Sequence, residues 1–104
     1  MPENKLNSAV IGKYCIVRGE RFGVLAGTVE AVDGDRVLLK DARKLHYWDG
    51  AAAVQQLALD GTTAPQNCRF TVTVESILLT GAIEIIPATE KAKASICGVK
   101  VWKR

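Results

Sequence analysis

Val24-Leu-Ala-Gly27-Thr-Val-Glu-Ala-Val-Asp33-Gly34-Asp-Arg36-Val-Leu-Leu-Lys40 decides the fold. Val24 to Val32 reads as a strand, with Leu25, Gly27, Val29 and Ala31 sharing one face. Asp33-Gly34 is a hairpin signal, because a two-residue turn needs positive φ. Arg36 to Lys40 is then the returning strand. Gly27 inside a strand marks a sharp bend or a close approach of two backbones.

Working outward, Val10 to Arg18 supplies an earlier strand and Gly19 to Gly23 a turn. Lys44 to Trp48 reads as a fourth strand. Asp49 is a good helix N-cap; Ala51, Val54, Leu57 and Ala58 fall at helical spacing, and Gly61 stands where a C-terminal glycine belongs. That predicts one helix of roughly ten residues. Thr62 to Cys68 holds Pro65 and Asn67 and reads as a loop. Phe70, Val72 and Val74 alternate with Thr71, Thr73 and Glu75, the clearest period-two pattern in the chain. Ile77 to Ile86 is apolar, broken at Gly81. Thr89 can cap a short last helix, Glu90 to Cys97, ended by Gly98, with Val101 and Trp102 docking the tail. Short connections imply antiparallel order. The expected fold is mainly β (α+β): a small, strongly bent antiparallel sheet or barrel, with one inserted helix and a short C-terminal helix. Residues 1–8 are expected to be a flexible tail, and residues 9–104 a single β-rich domain.

The chain has 104 residues, 48% of them hydrophobic and 24% charged, with a net charge of +3. One modest core fits that length. A charge this mild permits an anionic partner but is not the concentrated basic stripe of a genomic nucleic-acid binder. Cys15, Cys68 and Cys97 are odd in number and form no C-x-x-C pair, which indicates reduced cysteines used as small core residues. No apolar run approaches the roughly 18 residues of a membrane span. No cofactor, metal or catalytic residue is expected: one histidine and three scattered cysteines give no ligand spacing, and no phosphate loop, dinucleotide fingerprint or hydrolase elbow occurs.

Arg43-Lys44-Leu45-His46-Tyr47-Trp48-Asp49-Gly50-Ala51-Ala52 carries the candidate site. Aromatic faces stack on bases, cations neutralise phosphates, and helix starts present free N–H groups. In a strand, Arg43, Leu45 and Tyr47 share one face, and Lys44, His46 and Trp48 the other. One alternative buries one of Tyr47 and Trp48 in the core and the other at a subunit interface. The other stacks one of them on a purine, and then Arg43 with Tyr47 on an exposed face is the favoured pair. Asp49 either caps the helix or binds a ribose hydroxyl. Arg69, starting a strand just after a loop, and Arg18 are further candidates for phosphate neutralisation.

Cys15-Ile-Val-Arg-Gly, Gly27-Thr-Val-Glu-Ala-Val-Asp33 and Val37-Leu-Leu-Lys-Asp-Ala42 resemble the first motif of Sm-like proteins: a strand, a mid-strand glycine, an acidic turn and a closing strand. Thr80-Gly81 stands where the second motif has an R-G pair. That resemblance covers about half the chain and implies an Sm/SH3-like barrel. A second covers nearly all of it. Ile11-Gly-Lys-Tyr-Cys-Ile-Val-Arg18, Ala42-Arg-Lys-Leu-His-Tyr-Trp-Asp-Gly-Ala-Ala52, Asn67-Cys-Arg-Phe70 and Ile83-Glu-Ile-Ile-Pro-Ala-Thr-Glu-Lys91 resemble small phage-encoded proteins of unknown function. Their signature is R-R-[IL]-W-Y-W-x-G-A; here Lys44 replaces the second arginine and His46 the first tryptophan. This resemblance implies an accessory phage product in the cytoplasm of the bacterial host, and names no activity.

The function expected from these readings is non-enzymatic: a homo-oligomer that binds and sequesters a small anionic nucleotide, such as a bacterial immune signal, to counter host defence. A module that inhibits a host protein through Leu59, Val101 and Trp102 is one alternative. An Sm-like ring on RNA or single-stranded DNA is another.

Overall fold

The computed structural model describes residues 5–102. Its elements in chain order are α1 (Lys5–Ser8), β1 (Tyr14–Gly19), β2 (Val24–Asp33), β3 (Arg36–Tyr47), α2 (Val54–Asp60), a 3-10 turn (Pro65–Asn67), β4 (Arg69–Phe70), β5 (Val74–Thr80), β6 (Ala82–Pro87) and α3 (Glu90–Gly98). All strand pairs are antiparallel. They run in the order β4-β3-β2-β1-β6, with β5 also paired to β3. The expected strongly bent antiparallel sheet, with an inserted helix and a terminal one, is what forms. Residues 1–4 of the expected tail lie outside the described residues, and Lys5–Ser8 makes one helical turn.

The β2–β3 hairpin turns where Asp33-Gly34 predicts it, with Gly34 at φ 61°. The third and fourth strands of the sequence reading are instead one strand, β3, bent in its middle. The cause is a bulge. Ala26 pairs Arg43 and Thr28 pairs Lys40, so Gly27 alone faces both Asp41 and Ala42. Asp41 takes φ 50°, an uncommon conformation for a residue with a side chain. The bulge bends β3 so that one half pairs with β5 and the other with β4.

The bent sheet has a core on each side. Tyr14, Ile16, Leu45, Phe70, Leu57 and Ile96 form one, beneath α2 and α3. Cys15, Val17, Leu25, Val29, Leu39 and Leu79 form the other, inside the bend. Because β1 divides its side chains between the two, Tyr14 to Val17 are all buried and show no polar alternation. That strand begins at Tyr14 rather than Val10, since Val10 and Ile11 turn back to bond the Asn7 carbonyl.

Two helix expectations need correction. α2 has seven residues and starts at Val54, with Ala53 rather than Asp49 at its N-cap. The Asp49 carboxylate instead accepts from the Gly50 N–H and the Asn67 amide. Gly50, at φ 83°, turns the chain so tightly onto the next loop that a Cβ there would lie 2.5 Å from the Ala64 nitrogen. Gly61 closes α2 and the Thr89 hydroxyl caps α3, both as the sequence predicts. The Phe70 to Glu75 alternation is not one strand: pairing stops after Phe70 and resumes at Val74.

The three cysteines are unpaired; Cys15 and Cys68 are buried and Cys97 is exposed. Burial pushes the Cys15 thiol up to about 11. One fast and two slow alkylations are therefore expected at neutral pH. Intact-mass kinetics with iodoacetamide would show it, and equal rates at Cys15 and Cys97 would contradict it.

Candidate functional site

The window from Arg43 to Asp49 is not used as one surface. Arg43, expected to be exposed beside Tyr47, is buried at 4% exposure. Its Nε donates to the Thr71 carbonyl at 2.9 Å, Nη1 to Ile96 and Val99 at 3.0 and 2.9 Å, and Nη2 to Phe70 at 3.2 Å. Its Cζ lies 5.5 Å from the centroid of the Phe70 ring. These carbonyls come from β4 and its exit and from the C-terminal end of α3, where the helix dipole is negative. A planar fork of donors suits that arrangement. Burial lowers the affinity of this guanidinium for its proton, with Tyr14 and Cys97 opposing that shift. Tyr14, buried beside Cys97, has its phenol held above the ordinary range, chiefly by desolvation. Arg43 therefore binds α3 to the sheet and is not available to a ligand.

Beyond Arg43 the chain opens outward. Leu45 is buried, a register shift separates it from Tyr47, and Tyr47 is 52% exposed. Trp48 turns inward and packs against the core beneath α2. Of the two aromatics, Tyr47 is the one that faces solvent. His46 stacks on Trp102, with centroids 5.2 Å apart and planes within 2°. The Arg69 guanidinium lies 5.6 Å from the same indole centroid. Arg69 also pairs with Tyr47 across β3 and β4. Trp102 reaches this place because the tail runs alongside β4: Val101 bridges Phe70 in parallel, and the Trp102 N–H donates to the Phe70 carbonyl at 2.9 Å. The result is a surface of Tyr47, His46, Trp102 and Arg69, with three rings and a guanidinium on adjoining backbone segments.

The other candidates lie apart from that surface. Lys44 borders a cavity between β2, β3 and β5. Asp49 braces the loop after β3, its backbone carbonyl also accepting from the Thr62 hydroxyl. Arg18 is on β1 and gives its Nε to Glu84 of β6 at 2.9 Å, with β2 and β3 between it and Arg69 in the strand order. Arg18 and the Gln55 amide together hold the Glu84 carboxyl below its usual range. Among the described residues no group of three His, Cys, Asp or Glu could hold a metal ion. Leu59 and Val101 are exposed, as the partner-binding alternative requires. No helix of the described residues is long and apolar enough to cross a membrane. The residue that local reading left out of the site is Trp102, whose return to β4 is a long-range pairing.

The bent sheet, its order and its bulged central hairpin define an Sm-like fold. One similar structure is that of a heptameric archaeal Sm protein: 18% identity, 79% of this chain and 94% of that chain covered, TM-score 0.51. A chain of the NatC complex bound to CoA is 17% identical over 92% of this chain and 99% of that chain, with a TM-score of 0.48. No curated protein is similar to the chain in sequence. Residues 12–96 match the model of a domain of unknown function, DUF6948, and the chain belongs to that family.

Proposed function

We propose that this protein is a non-enzymatic, self-assembling binding protein that holds a small anionic nucleotide at the surface of Tyr47, His46, Trp102 and Arg69. The observation that carries the reading is the placing of half-exposed rings next to an exposed arginine that has no ion pair among the described residues. A base stacks on an aromatic face and a guanidinium neutralises its phosphate. Self-assembly is supported by the sheet edges. β6 pairs only with β1 and β5 only with β3, so each has one side without a strand among the described residues, and Leu78 and Ile83 on them are exposed. The heptameric state belongs to the archaeal Sm protein; here the edges are the argument. With the resemblance to phage-encoded proteins, the role that fits is sequestration of a nucleotide immune signal in the bacterial cytoplasm.

Native mass spectrometry of protein purified from bacteria tests this reading, followed by thermal shift with cyclic nucleotides and ADP-ribose. An oligomer that carries or is stabilised by one of them is expected. Tyr47→Ala or Trp102→Ala should then weaken binding by about 1–3 kcal/mol, the worth of one base stack. If no nucleotide copurifies and none shifts the melting temperature, the reading fails. An Sm-like ring on RNA or single-stranded DNA is a second reading, favoured by the fold, and would show as steeply salt-dependent binding of oligonucleotides.

A further inference from the structure

A cavity of about 290 Å³ opens between β2, β3, β5 and the segment leading into β5. Phe22, Leu25, Val72, Val74, Ile77 and Leu79 supply an apolar lining. It is continuous with the core inside the bend, to which Leu25, Leu79, Phe22 and Ile77 belong. Its size approaches the lower end of small-ligand pockets, roughly 300 Å³. Only two lining residues are polar, Lys44 and Thr71. The Thr71 hydroxyl is already engaged, accepting from the Lys44 N–H and donating to the Val72 carbonyl. The Lys44 ammonium has no ion pair among the described residues. Its side chain runs over Gly23, so close that a Cβ there would sit 3.5 Å from Cε and 3.9 Å from Nζ.

We infer that this cavity is a second binding site, separate from the Tyr47 surface, for a small carboxylate with an apolar tail. The tail leaves water for the Phe22, Leu25 and Ile77 side, and the carboxylate pairs with Lys44 at the rim. Each half of the ligand meets the chemistry it needs. An uncharged tail forgoes the ammonium, and a short polar anion forgoes the apolar area. A lysine at the edge of an apolar surface can keep its stem against carbon and its charge in water, so the site costs little in the unliganded protein.

Octanoate is the probe, with 1-octanol and acetate as controls, read by calorimetry and by chemical shifts of the full-length protein. Octanoate should bind, shift the resonances of Phe22, Val72, Val74 and Ile77, and bind at least about tenfold more tightly than octanol. Lys44→Met should remove that preference, leaving the two probes within a few-fold of each other. Val74→Trp, a change at a half-exposed position, should block both while the protein stays folded. The inference is overturned if octanoate leaves those resonances unmoved, or if Lys44→Met leaves the preference intact. It is equally overturned if Val74→Trp breaks an assembly while octanoate has no effect, which would give the cavity to a second copy of the chain. None of these results depends on nucleotide binding.

Discussion

Arg43→Ala should lower the stability of the domain by at least about 3 kcal/mol, because hydrogen bonds to a charged group are worth about 1.5–3 kcal/mol each and several are lost together. Four carbonyl oxygens lose the guanidinium at once: Phe70 and Thr71 on the sheet side, Ile96 and Val99 on the helix side. Phe70 and Ile96 keep a second donor, the N–H groups of Trp102 and Val99. A buried acceptor left without a partner costs about 1–3 kcal/mol, which applies to the Thr71 and Val99 carbonyls where α3 meets the exit of β4. Water entering the cavity left by the side chain would recover part of that loss. Domains of this size have about 5–15 kcal/mol to lose. The melting temperature should fall by more than about 10 °C, since each kcal/mol moves it roughly 4–8 °C. Arg43→Lys should recover only a fraction, because a single ammonium cannot span carbonyls on two elements as a fork does. Calorimetry of the three proteins decides it; a change of a degree or two would mean that α3 is held to the sheet without Arg43.

Gly27→Val should be the more damaging of the two, with most of the protein failing to fold. A Cβ at Gly27 would lie 2.8 Å from the Ala42 Cβ and 3.0 Å from both the Ala42 Cα and the Lys40 carbonyl oxygen. Two of those neighbours are backbone, and Ala42 is fully buried, so the strands have nowhere to retreat. Gly27→Ala is the graded version and should cost about 1–3 kcal/mol, the usual range for overpacking. Pairing it with Ala42→Gly removes the nearest clash and should restore part of the loss, a coupling that a double-mutant cycle measures. Restoration cannot be full, because the Cα and carbonyl contacts remain. If Gly27→Ala were neutral, the bend would not depend on this close approach.

The same bulge explains what the sequence disclosed and what it hid. Asp33-Gly34 and Thr89 are local signals, since the turn and the cap each involve a few neighbouring residues, and both form as read. Gly27 announced a close approach, but not that Asp41 and Ala42 would share its place in the ladder. That shift ends simple alternation along β3, so the strand looked like two; a second shift, between Leu45 and Tyr47, parts the buried Arg43 from the exposed face it was assigned to with Tyr47. The Phe70 to Glu75 pattern misled for a related reason: Thr and Val favour extended backbone, yet beyond Thr71, whose N–H still donates to the Lys44 carbonyl of β3, Val72 and Thr73 belong to no strand. Tyr47 and His46 were legible as candidates from their types alone. Their neighbours Arg69 and Trp102 are set by the β3–β4 pairing and the return of the tail, which no window of ten residues contains.

The pairing of β1 with β6 has a consequence for how the protein comes into being. Arg18 and Glu84, partners across those strands, are 66 residues apart in the chain. Synthesis runs from the N-terminus at about 5–20 residues per second, so β1 is made seconds before its outer neighbour exists. Until then β1 has β2 on one side and nothing on the other, with Ile16 and Val17 short of their final cover. The sheet therefore closes only after nearly all of the domain has left the ribosome. A chain interrupted before Pro87 would keep a bare, apolar strand edge, the kind of surface that chaperones hold and proteases remove.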